Sequence, residues 1–121
     1  MSELADVSLE NHSGQPVARL RGEVDASNAD SIRQRIEGFV SNHEHVLVID
    51  LTEVDYLDSA GVRMLFDLAG GLERRQLSLH LVVGDGTHVA QVFRLVSIDK
   101  VATLHPTLRA AFEELTGEAR G

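Results

Sequence analysis

The stretch "VLVIDL" (residues 46–51) constrains the fold of this 121-residue chain more than any other. It is aliphatic except at Asp50. A strand with one wet face alternates apolar and polar residues, whereas a run without alternation belongs to a strand buried on both faces. Such a strand needs a sheet with helices against it. The residues that follow supply one. After "TEVDYLDSAG", Val62, Leu65, Phe66, Ala69 and Leu72 recur at helical spacing, with Arg63, Asp67, Glu73 and Arg74 mostly off that stripe. A buried strand running into an amphipathic helix is the repeating unit of a parallel α/β sheet.

The flanking sequence extends that pattern. Residues 6–11 alternate weakly, "NHSGQP" (residues 11–16) carries turn chemistry, and residues 17–24 alternate again, with Val17, Arg19 and Arg21 opposite Ala18, Leu20 and Gly22. Together they read as a hairpin. In "DASNADSIRQRIEGFV", Ala29, Ile32, Ile36, Phe39 and Val40 mark a helix, which Ser27 or Asn28 is placed to cap. Residues 77–83 are rich in β-formers. "GDGT" then turns the chain into a short helix bearing Val89, Val92, Phe93 and Val96, with Thr87 as its cap. Residues 101–104 suit a last short strand, and Pro106 suits the first turn of a closing helix with Leu108, Ala111, Phe112 and Leu115. The order β-β-α-β-α-β-α-β-α predicts an α/β domain. Its sheet is mixed but mostly parallel, of four to five strands, with about four helices packed against it and the first strand as an antiparallel edge. Residues 1–121 read as a single domain with a core over 5–116 and a frayed tail at 117–121.

Composition removes several function classes. The formal net charge is −8, from 11 basic and 19 acidic side chains. That disfavours nucleic acid, which needs a basic face, and anionic membrane surfaces. Acidic charge suits encounter with a basic protein surface instead. There are no cysteines, so disulfides and thiolate metal sites are excluded. The first residues show no signal-peptide pattern and no apolar run is long enough to span a bilayer, which makes a cytoplasmic protein the expectation.

The candidate site is "LDSAG" (residues 57–61), in the turn from the central strand to its helix. Loops after the carboxyl ends of strands are where function collects in α/β sheets. Ser59 reads as a helix cap, and equally as a phosphate acceptor, because a helix N-terminus offers N–H donors and the positive end of the dipole. Gly61 is expected to leave room beside it. Asp58 is adjacent, and Asp25, after another β segment, is expected at the same end of the sheet. A phosphoryl group of about −1.5 to −2 charge among these carboxylates would change the local field sharply. A serine nucleophile fits poorly: no histidine is obviously paired with Ser59, and the GxSxG elbow is absent. The six histidines are scattered. "HEH" (residues 43–45) lies in a polar break and suggests no third ligand, and "GDG" (residues 84–86) lacks the rest of a nucleotide fingerprint. No metal ligands and no cofactor are expected.

Three stretches together resemble the STAS domain family, and within it the bacterial anti-sigma factor antagonists. "GEVDASNADSIRQRI" (residues 22–36) resembles that family's Gly-Glu-hydrophobic-Asp approach to its first helix. "VLVIDLTEVDYLDSAGVRML" (residues 46–65) resembles its central strand and phosphorylation motif. "VAQVFRLVSIDKVATLHPTLRAAFEEL" (residues 89–115) resembles its last two helices and the strand between them. The resemblance implies a switch protein without catalysis of its own. Unphosphorylated, it would bind an anti-sigma factor with a GHKL-type serine kinase fold and free a sigma factor for transcription. Phosphorylation of Ser59 would end that binding, and a PP2C-type phosphatase would restore it. By position Ser59 is the acceptor, with Asp25, Asp58, Ala60 and Gly61 beside it on the partner-binding face. Ala60 stands where many members have a second serine, and Ser97-Ile98 where Gly-Leu is common. Tyr56 offers another hydroxyl before the motif. The family also contains stressosome scaffolds and regulatory subunits of transporter assemblies, which gives an alternative role, and weak self-association stays open.

Overall fold

The computed structural model describes residues 5–41 and 43–120. The elements run β1 (Ala5–His12), β2 (Gln15–Val24), α1 (Ala29–Phe39), β3 (Val46–Leu57), α2 (Ser59–Arg74), β4 (Ser78–Val82), α3 (His88–Val96), a 3-10 turn at Ile98–Lys100, β5 (Thr103–His105) and α4 (Leu108–Arg120). They form the expected α/β arrangement. One five-stranded sheet has the order β1-β2-β3-β4-β5, with β1 antiparallel to β2 and every other pair parallel.

Local chemistry explains the edges. The β1–β2 hairpin closes on Ser13 and Gly14, at φ 53° and 84°. Two positive φ angles in a two-residue loop give the turn hand that matches strand twist. From β2 onward each crossover steps to the next strand in the same direction, and right-handed crossovers of that kind place their helices on one face. The larger core cluster lies there. Leu20 of β2, Ile49 of β3 and Leu81 of β4 pack with Ile36 of α1, Leu65 and Leu68 of α2 and Phe93 of α3, each at most 1% exposed. On the other face, Val17, Val48 and Val82 meet Ala111 and Leu115 of α4. β3 lies between these two layers: Leu47, Val48 and Ile49 are fully buried, which is why its sequence does not alternate.

Three details differ from the sequence reading. β3 continues through Thr52 to Leu57, where only Val54 and Leu57 are buried. Register shifts against β2 between Arg19 and Arg21, and between Gly22 and Glu23, break the two-residue period there, with Gly22 at φ 95°. α2 is buried more broadly than its predicted stripe, through Met64 and Leu68. Pro106 lies before the closing helix rather than in it, because Thr107 Oγ1 accepts from Ala110 N at 3.0 Å and takes the cap. The backbone of α4 runs to Arg120, and of the tail expected to fray over 117–121, Gly121 lies outside the described residues.

Candidate functional site at the start of α2

β2 and β3 end together. Val24 pairs with Leu57, and Asp58 N donates to Val24 O at 3.2 Å. Asp25 and Asp58 therefore each follow the carboxyl end of adjacent parallel strands, as the sequence led us to expect, and both are half-buried.

Asp58, and not Ser59, caps α2. Its backbone is extended (φ −97°, ψ −172°), its Oδ1 accepts from Gly61 N at 3.0 Å, and its carbonyl accepts from Val62 N at 3.0 Å. Aspartate and serine cap about equally well. The choice falls on Asp58 because its N–H, tied to the end of β2, fixes the last extended residue one position before Ser59. Ser59 is then the first helical residue. It is exposed, and its Oγ has no hydrogen bond among the described residues. Ala60, next in the helix, is half-buried.

Gly61 lets the helix approach the sheet. A Cβ at this position would lie 2.5 Å from Leu57 Cδ1 and 3.1 Å from Val24 Cγ1. Those are the last side chains of the two strands, so the glycine sets how closely the first turn of α2 sits on their ends.

The Asp25 turn is held from within. Asp25 Oδ1 accepts from Ser27 N at 2.9 Å and Ser27 Oγ at 2.6 Å, and Asp25 O accepts from Ala29 N at 2.9 Å. Asn28 Oδ1 accepts from Asp25 N, and Asn28 Nδ2 donates to Glu23 O, each at 3.0 Å. Neither Ser27 nor Asn28 caps α1 with its side chain, because both are engaged backwards in this turn. The result is a rigid acidic loop beside an exposed hydroxyl at a helix N-terminus. No imidazole or carboxylate is hydrogen-bonded to Ser59 Oγ among the described residues, so the hydroxyl is accessible but not activated. Near the same strand end, the exposed Tyr56 ring stacks on His88 at the start of α3, with centroids 6.1 Å apart.

The other candidates fall away from this site. His43 and His45 are exposed in the loop before β3. The "GDG" segment is a turn in which Thr87 Oγ1 donates to Gly84 O at 2.8 Å and accepts from Ala90 N at 3.2 Å, the predicted cap of α3. One cluster was not legible as such. His80 of β4 and His105 of β5 lie on the α4 face with His80 Nδ1 and His105 Nε2 3.0 Å apart, and Glu114 of α4 approaches His105 at 3.9 Å. The available signal was His80, a polar residue inside the apolar run Leu79-His80-Leu81-Val82. Its partners are 25 and 34 residues away, and only the β4–β5 register and the path of α4 bring them together.

Comparison with known proteins places the chain among proteins of one kind. The STAS domain family matches residues 6–111. The anti-sigma-F factor antagonist RsfB of Mycobacterium tuberculosis is 30% identical over 112 residues, covering 92% of this chain and 89% of that protein. An anti-sigma factor antagonist from Mycobacterium paratuberculosis superposes with a TM-score of 0.80 at 28% identity, covering 91% of this chain and 92% of that one. The unphosphorylated form of the Bacillus anti-sigma factor antagonist SpoIIAA shares the fold, with a TM-score of 0.75 at 22% identity over 93% of this chain and 97% of that one. No helix among the described residues is long and apolar enough to cross a membrane.

Proposed function

Because this chain belongs to the STAS domain family and has anti-sigma factor antagonists among its relatives, we propose that it is an anti-sigma factor antagonist switched by phosphorylation of Ser59. In this reading the unphosphorylated chain binds an anti-sigma factor with a GHKL-type serine kinase fold and so frees a sigma factor. That kinase phosphorylates Ser59, and a PP2C-type phosphatase reverses the step. The chain does no catalysis itself.

One observation carries the proposal. Ser59 is exposed and its Oγ is unengaged at the first position of α2, while Asp58 has taken the capping role. A hydroxyl needed for a cap would be lost to the helix on modification; this one is free to react. A phosphoryl group on it would sit by the positive end of the α2 dipole, which tolerates it, yet beside the carboxylates of Asp25 and Asp58. The surface would thus gain a bulky dianion without unfolding, and a partner docked closely there would be expelled by its size and by the cost of burying its charge.

The experiment has two arms. Incubation with the candidate anti-sigma kinase and ATP should add one phosphoryl mass to the wild type and none to Ser59→Ala. Ser59→Ala should bind the anti-sigma factor within about twofold of wild type, while Ser59→Asp and the phosphoprotein bind at least about tenfold more weakly. Equal affinity across all these forms would sink the proposal.

A further inference from the structure

We propose that His80, His105 and Glu114 form a binding site for a divalent transition-metal ion of the zinc class, between β4, β5 and α4. The site lies on the α4 face of the sheet, whereas α2, which begins at Ser59, packs on the opposite face.

Burial is the first observation. His80 and His105 are 3% and 4% exposed beside the apolar cluster of Val17, Val48, Val82, Ala111 and Leu115. Apolar residues would pack α4 there without the desolvation cost that two imidazoles carry. Geometry is the second. One donor atom from each of His80, His105 and Glu114 lies within 4.8 Å of the other two. The facing nitrogens His80 Nδ1 and His105 Nε2 are 3.0 Å apart, so one donates and the other accepts. Two nitrogens on one tetrahedral zinc ion, each at 2.0–2.1 Å, stand about 3.3 Å apart. The ion would take the place of the shared proton, which moves to the other nitrogen of its own ring, His80 Nε2 facing Ser78 Oγ or His105 Nδ1 facing Glu114, with a small separation of the rings and a turn that aims both lone pairs at one point.

The surroundings fit the same reading. Ser78 Oγ lies 3.3 Å from His80 Nε2, a contact of the kind that orients a ligating ring. The Glu114 side chain is 46% exposed, with its Oε1 3.9 Å from His105 Nδ1, so it would swing around the ring edge to serve as third ligand. A donor set of two imidazoles and one carboxylate, without thiolate, suits Zn²⁺, Ni²⁺ or Cu²⁺ far better than Mg²⁺. The bound ion would tie α4 to the two strands beneath it.

The test is a calorimetric titration of untagged protein with Zn²⁺ and, separately, with Mg²⁺. It is repeated on Glu114→Gln, on His80→Gln, and on a control lacking the exposed rings (His43→Ala, His45→Ala, His88→Ala). We expect one Zn²⁺ per chain at micromolar affinity or better and no Mg²⁺ binding in that range. Glu114→Gln should weaken Zn²⁺ at least tenfold, His80→Gln should abolish it, and the control should bind as wild type does. Glu114 is exposed, so its variant keeps the test meaningful if His80→Gln does not fold, and the visible bands of a tetrahedral Co²⁺ complex give a second readout. Absence of Zn²⁺ binding, unchanged affinity in Glu114→Gln, or loss of binding in the exposed-ring control would each overturn the proposal.

Discussion

Asp58 and Gly61 hold the first turn of α2 from two sides, one by a hydrogen bond and one by lacking a side chain. Asp58→Ala removes the acceptor for Gly61 N and should cost about 1 kcal/mol, the usual value of an N-cap. Gly61→Ala forces a methyl against the buried Leu57 and Val24 side chains and should cost about 1–3 kcal/mol by overpacking. Ser59→Ala, at an exposed first-turn position, should change stability by less than about 0.5 kcal/mol. Urea denaturation of the three variants checks the assignment; a Ser59→Ala cost equal to that of Asp58→Ala would return the cap to the serine. At this scale the sequence showed which residues form the motif but not which one caps. Both side chains can serve, and the choice depends on where β3 stops.

Among the elements, the β1–β2 hairpin carries its own pH dependence. Glu10 accepts from His12 Nε2 at 2.6 Å and from Ser8 Oγ at 2.8 Å. The His12 contact first, then Ser8, then the Arg19 charge hold its carboxyl below the ordinary glutamate range. A carboxyl lowered by folding contributes stability above its unfolded value and loses it as pH falls through the lowered one. Wild type should therefore exceed Glu10→Gln in stability at neutral pH, with the difference closing below about pH 4. Denaturation midpoints for both proteins between pH 7 and pH 3 measure this, and a gap that widens on acidification would contradict it. The hairpin itself was legible because turn residues and alternation are local signals. The second half of β3 was not, because its bulged register against β2 erases the alternation that identifies a strand.

The molecule as a whole is unequal on its two faces. α1, α2 and α3 share the large cluster, whereas α4 rests on the small one around Val48 and Val82. Leu65→Ala, at 0% exposure in the large cluster, should cost about 2–5 kcal/mol, a large part of the stability of a domain this size. Amides of α4 should exchange through openings that cost less than global unfolding, while those of β3 and α2 exchange only near the global limit. Native-state hydrogen exchange decides this, and equal protection across all four helices would refute it. The sequence by itself determined the α/β class, the order of the elements and the placement of Asp25, Asp58 and Ser59 at one end of the sheet. Those features follow from periodicity and chain connectivity, which are written in neighbouring residues. Only the tertiary structure decided that Asp58 caps α2, that Gly61 is there for close packing, and that His80, His105 and Glu114 meet beneath α4. Each of these depends on distances between side chains that strand register and helix docking fix, and no local pattern records such distances.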